Sequence, residues 1–194
     1  NQIDKRYDDC MYSEQNSLPI ETGAAFFEFI GMELLPYIEN TYRTGDFRVV
    51  IGHGETANFI NYYLLKPQPL FQAYISISPE LAPNMIDYLP EAMGKIQSKI
   101  FYNLAITNND SKSLKQMAGA LNSDIAAIDN ENLAYNFNDF EGPSHYSVPT
   151  HAIPKAIENI FQVFQPISKK EYKDVILDLE ISPVLYLQEK YQTI

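Results

Sequence analysis

Residues 46–58 read DFRVVIGHGETAN, and their centre is Gly52-His53-Gly54-Glu55-Thr56. That spacing matches a turn built to present a nucleophile. In the pattern G-x-S-x-G, a serine stands on a sharp strand-to-helix turn, the nucleophile elbow, with its hydroxyl exposed. Gly52 and His53 fit the first two places, Gly54 takes the serine's place, and Thr56 takes the second glycine's. The frame is present and the hydroxyl is not. Acyl transfer through a serine needs a proton-moving histidine and a carboxylate that orients it. Asp110 and His145 follow the turn in the chain order nucleophile, acid, base.

Each of these residues also has a plainer reading. His145 reads as a surface-loop histidine as well as a general base. Asp110 reads equally as the N-cap of a helix around Leu114, and Asp139 is a weaker rival for the acid. His53 precedes the turn, where a residue either serves a ligand or packs beneath the turn. His151 lies beyond the loop and reads as structural. The backbone N–H of Glu55 takes the place of an oxyanion donor, while its carboxylate sets negative charge beside a site meant to stabilise negative charge. Ser78 and Thr56 are the hydroxyls nearest the gap, and neither sits on the apex. Thr56 and Ala57 carry Cβ atoms where glycines would let the turn tighten. The three histidines are scattered, with no two at helical spacing, and Cys10 is alone. The residues therefore supply no metal ligand pair, and no cofactor is implied.

The elements that would position these residues can be read from the hydrophobic pattern. Residues 48–51 form a short β-branched run, which suits a strand buried on both faces. Further strands are predicted over 73–78, 100–106 and 133–140. Helices are predicted after Gly54, over 85–93, 114–121 and 152–164, the last with Ile153, Ile157, Ile160, Phe161 and Phe164 on one side. Ahead of the turn, a helix opens at Thr22-Gly23. Phe26, Phe29, Ile30, Leu34, Ile38 and Tyr42 make its core-facing stripe, with Pro36 as a kink or a tightened turn. Residues 1–23 are polar and read as an acidic loop. Strands alternating with helices imply right-handed crossovers and a parallel sheet. His53, Gly54, Ser78, Asp110 and His145 all fall where strands end, which is where open α/β sheets bind ligands.

Composition narrows the classes further. The 194 residues and an apolar fraction of 45% fit one domain with a real core. A net charge of -11 without a Lys or Arg cluster argues against nucleic acid. No apolar run approaches the roughly 18 residues of a membrane span. The lone cysteine excludes an intrachain disulfide and leaves the redox compartment open.

Gly52-His53, together with Glu141-Gly142-Pro143-Ser144-His145-Tyr146-Ser147-Val148-Pro149, resembles the putative-esterase family of α/β-hydrolases. That group includes esterase D, enterochelin-esterase-like and feruloyl-esterase-like proteins, and the siderophore-esterase-like branch looks most similar. Residues 1–8 resemble its loop of asparagine, arginine and aspartate. Residues 29–38 resemble its helix before the elbow, and residues 70–79 the stretch after it. The similarity covers roughly residues 1–165. It implies His145 as general base on a flexible loop, Asp110 as its orienting acid, and Gly54 at the position of the missing nucleophile. His53, Glu55 and Ser78 are then binding residues, and a small ester or acyl compound is the ligand. It points to the periplasm or to secretion, although the sequence names no compartment.

The expected architecture is an α/β-hydrolase-like parallel sheet, comprising the family's C-terminal four strands, over residues 1–165. A short helical extension follows over 166–194. There Ser168 and Glu171 fit a capping box, Leu177, Leu179, Ile181, Leu185 and Leu187 follow, and Pro183 divides two helices. The family has strands ahead of the point where this chain begins, so the chain is expected to be part of a longer polypeptide. The extension is then a contact surface for a missing N-terminal half or for another protein. Three functions follow: a pseudo-esterase kept for binding or assembly, an active ester hydrolase with an altered or engineered nucleophile, and a purely structural module. Gly54, Glu55 and Thr56 together favour the first, because one engineered serine replacement would leave Thr56 and Ala57 unexplained.

Overall fold

A computed structural model of the chain describes residues 2–177 and 181–191. Asn1 and Leu179, both used in the sequence reading, lie outside them. Helix α1 (Gln2–Asp9) is followed by α2 (Glu21–Phe29), a π-helical segment (Ile30–Leu34) and α3 (Leu35–Thr41). The alternating core then runs β1 (Val49–His53), α4 (Glu55–Asn61), β2 (Ala73–Ile77), α5 (Met85–Gly94), β3 (Ile100–Thr107), α6 (Lys112–Ala126), β4 (Leu133–Phe140) and α7 (Pro149–Ile160). After a 3₁₀ turn come α8 (Lys169–Glu171), which continues as a π-helical stretch (Tyr172–Leu177), and α9 (Pro183–Tyr191). Among the described residues no helix is long and apolar enough to cross a membrane.

The strands form one parallel sheet in the order β1-β2-β3-β4. This is the α/β architecture expected from the alternation of elements. In the register, Gly52 stands opposite Ser76, and Ser76 opposite Leu104, so the carboxyl ends of all the strands lie on one side of the molecule. β2 and β3 are buried along their whole length. Successive strand residues point to opposite faces. Tyr74, Tyr102 and Leu104 face a large cluster with Phe59, Tyr63, Met85, Leu89, Met93 and Leu121. Ala73, Ile75, Ile77, Phe101 and Ala105 pack on α7 through Ala152, Ala156 and Ile160. Tyrosine and phenylalanine rings fill the core of a chain without tryptophan, in a series of contacts that begins with Phe27 stacked on Tyr63 and continues edge-on through Phe71 and Tyr74 to a tilted Tyr102.

Several expectations are corrected. Residues 2–9 are helical rather than loop. α1 is held by tertiary contacts: Cys10 is buried at its end and Thr22 Oγ1 donates to the Asp8 carbonyl at 2.6 Å. β1 is not buried on both faces, since it is the sheet edge and Ile51 is 45% exposed. The stripe along residues 26–42 is only half right. Phe26, Phe27, Ile30 and Leu35 pack on the core, whereas Phe29, Leu34 and Tyr42 are exposed. Phe29 lies off the face that Phe26, Phe27 and Ile30 set, and the π-helical segment then adds a residue to the turn, so that Leu35 rather than Leu34 packs on the core. That segment lies directly ahead of Pro36, so the helix widens there instead of tightening. On α7 the buried face is Ala152, Ala156 and Ile160, with Ile157 left exposed, and Phe164 is exposed in the 3₁₀ turn beyond the helix. The capping box at Ser168 is present, with both of its hydrogen bonds, and Pro183 opens the last helix as expected.

Candidate active site

The turn between β1 and α4 is set by Gly54, at φ 63° and ψ -126°, a backbone conformation that favours glycine. Its N–H donates to the Ile77 carbonyl at 3.1 Å, tying the turn to the end of β2. Gly52 is needed for a different reason. A Cβ there would meet the Thr56 carbonyl oxygen at 2.4 Å and Ala57 Cα at 2.6 Å, so only glycine lets α4 pack this close to β1. The expectation that Thr56 loosens the turn is corrected. Thr56 Oγ1 accepts from the His53 N–H and donates to the His53 carbonyl, both at 2.9 Å, and so clasps strand to helix.

Asp110 and His145 meet across the carboxyl end of the sheet. His145 Nδ1 lies 2.7 Å from Asp110 Oδ1, with the Asp110 side chain fully buried and that of His145 26% exposed. The other carboxylate oxygen accepts from Ser78 Oγ at 2.7 Å and from the Thr107 N–H at 2.9 Å. A carboxylate can only accept. It therefore fixes the imidazole proton on Nδ1 and leaves Nε2 as the basic atom. The alternative role for Asp110, capping α6, falls to its neighbour: Ser111 Oγ accepts from the Leu114 N–H at 3.2 Å. The loop that carries His145 is pinned rather than free. Thr107 Oγ1 and Asn109 Nδ2 donate to the Pro143 carbonyl at 2.6 and 3.0 Å, and Gly142 turns at φ 106°.

The remaining candidates separate cleanly. Ser78 is buried at φ 43°, its N–H bonded to the Ala105 carbonyl, and its hydroxyl is committed to Asp110. His53 does not pack beneath the turn. Its ring lies against that of His145 with centroids 4.5 Å apart, and its Nε2 is buried with no hydrogen-bond partner among the described residues. Burial, and next the charge of His145, hold its pKa below the ordinary histidine value. Asp139 is exposed on β4, and His151 bonds locally to Thr150 and packs near Phe140. Among the described residues no three His, Cys, Asp or Glu side chains are grouped to hold a metal ion.

Two residues that the pattern did not single out shape the site. Arg6 on α1 grips the Glu55 carboxylate through two nitrogens, at 3.1 and 3.4 Å. The negative charge expected beside the turn is thus paired. No spacing in the sequence links positions 49 residues apart. Glu80 follows β2 closely enough that the strand-end rule could have found it. Its N–H donates to the Gly54 carbonyl at 3.2 Å, and its Oε1 lies 3.6 Å from where a Cβ on Gly54 would stand. Asn58, in turn, holds the following segment by accepting from the Ala82 N–H at 2.9 Å. Glu55, Glu80, His145 and Tyr146 open on a cleft of about 900 Å³ that residues of α1 and of the start of α6 also line. Such a cleft, with a basic imidazole nitrogen on its wall, can hold a small molecule and move a proton to or from it.

No protein-family model and no curated protein matches the sequence. Solved structures do. The chain is similar to an uncharacterised protein from Capnocytophaga ochracea, with 31% identity and a TM-score of 0.86, over 96% of this chain and 53% of that one. It is similar to an IroE-like serine hydrolase from Shewanella oneidensis, with 22% identity and a TM-score of 0.68, over 97% of this chain and 73% of that one. It is also similar to the siderophore hydrolase EstA from Aspergillus nidulans, with 15% identity and a TM-score of 0.61, over 82% and 66%. The chain thus spans about half the length of the Capnocytophaga protein. At these identities the hydrolase structures establish the fold.

Proposed function

We propose that this chain, which has the α/β-hydrolase fold of the siderophore-esterase-like proteins, binds a small ester or acyl ligand in the cleft beside Gly54 and forms no acyl-enzyme there. One observation carries the reading. The residue on the strand-to-helix turn is a glycine, so the turn presents no nucleophilic atom to the ligand. Ser78 is no substitute, because its hydroxyl is buried and donated to Asp110. In this reading residues 1–165 form the binding domain. Residues 166–194 form an extension that meets the rest of a longer polypeptide or another protein.

A fluorophosphonate probe and a fluorogenic short-chain acyl ester test the reading together. The expected result is no covalent label and no turnover, with the ester binding reversibly. A label on any hydroxyl would overturn it. The Asp110–His145 pair supports a second reading, an active ester hydrolase with an altered nucleophile, since a buried and fully bonded acid beside an exposed-edge imidazole is the base that hydrolysis needs. Turnover without labelling, abolished in His145→Ala, would favour that one.

A further inference from the structure

We propose that the cleft selects an organic cation: an ester or acyl compound that carries an ammonium or guanidinium group. This deepens the reading of the cleft as an ester or acyl site and rests on it. Asp8, Glu14, Glu55 and Glu80 bring carboxylates to the lining, and among the described residues no lysine or arginine lines it. Arg6 stands nearby, but it is paired with Glu55 and lies over the Tyr7 ring at 5.5 Å. Four carboxylates against one guanidinium leave the cleft negative, in a chain whose net charge is already -11. An anionic ligand would meet repulsion there, and so would the oxyanion of an acyl-transfer intermediate.

The space over Gly54 points the same way. A serine side chain would fill it, and here Glu80 Oε1 stands 3.6 Å from the unfilled Cβ position. The Glu80 backbone is tied to the turn by its N–H bond to the Gly54 carbonyl, which sets its side chain beside the gap. A positive group entering the gap would meet this carboxylate first. Aromatic rings add to the attraction, since Tyr7, Tyr12 and Tyr146 also line the cleft and a cation gains from the face of such a ring. Tyr7 already holds a guanidinium in this way. The acids come from α1, the segment after it, α4 and the loop after β2, and no three of them are grouped as metal ligands require. Charge spread over a cleft of about 900 Å³ with aromatic walls suits an extended organic cation rather than a bare metal ion.

Titration calorimetry of the full chain with three matched probes tests this. Acetylcholine supplies the cation, 3,3-dimethylbutyl acetate is its neutral isostere, and monomethyl succinate is the anion. Acetylcholine is expected to bind about tenfold more tightly than the neutral ester, and raised salt should erode that advantage. Glu80→Gln and Asp8→Asn should each weaken acetylcholine by about threefold more than they weaken the neutral ester, and an equal loss for both esters would overturn the inference. Equal binding of the cationic and neutral esters, or preference for the anion, would overturn the inference while the ester-binding reading stood. Binding of none of the three would overturn both.

Discussion

His145 Nδ1 stands 2.7 Å from Asp110 Oδ1, and the same Asp110 carboxylate accepts from Ser78 Oγ and the Thr107 N–H. One buried side chain therefore ties together the loop after β2, the end of β3 and the loop after β4. Replacing Asp110 by Ala strands buried donors without a partner, each at about 1–3 kcal/mol. Asp110→Ala is expected to lower the unfolding free energy by about 3 kcal/mol, measured by urea denaturation. Asp110→Asn, which keeps one acceptor oxygen, should lose less. An unchanged denaturation midpoint for the alanine variant would refute the structural role.

His53 makes stability depend on pH. Its pKa in the fold lies below the ordinary value of 6.5, chiefly through burial and next through His145. A lowered histidine pKa means that the unfolded chain binds the proton first. The stabilisation is then fully present above about pH 6.5 and is lost as the pH falls from there toward the folded value. Melting curves between pH 8 and pH 5 should show the loss, and His53→Gln should flatten it. A wild-type profile level across that range would contradict the assignment.

Gly52 and Gly119 make a matched pair. A Cβ at Gly52 collides with backbone atoms of Thr56 and Ala57, whereas one at Gly119 meets nothing within 4 Å. Gly52→Ala should destabilise by about 3 kcal/mol or more, because backbone must move to accept it. Gly119→Ala, inside α6, should stabilise by up to about 1 kcal/mol. Thermal melting of the two variants side by side reads both signs.

Gly54→Ser by itself should yield little esterase activity. The Cβ has room, but φ 63° is unfavourable for a residue with a side chain, at a cost of about 1–3 kcal/mol. The new hydroxyl would also face the Glu80 carboxylate, which opposes the charge that builds on the acyl oxygen. Turnover of a short acyl ester is expected to stay within about tenfold of background. Adding Glu80→Gln should raise it by about 10²-fold, the scale of one transition-state electrostatic contact. Robust turnover by the single variant would show that nothing but the hydroxyl is missing.

Much of this was legible in the chain. β4 spans the residues that its alternation marks, and the strand ends that carry His53, Ser78, Asp110 and His145 converge as a parallel sheet requires. The glycine at the turn is a fact of sequence alone. These features are local or periodic, so spacing encodes them. What spacing could not encode was set by contacts between distant segments. The Arg6–Glu55 ion pair joins positions 49 apart, and the burial of Cys10 and the Thr22–Asp8 bond dock as a helix the segment that reads as a loop. The π-helical segment before Pro36 rotates the buried face of its helix, leaving Leu34 in solvent where an unbroken period would bury it and packing Leu35 instead. Ser111 rather than Asp110 caps α6 because the Asp110 carboxylate is already saturated by His145, Ser78 and Thr107. Two adjacent polar residues compete for one helix end on equal local terms. Only the packed sheet, by bringing three donors to Asp110 and burying it, decides between them.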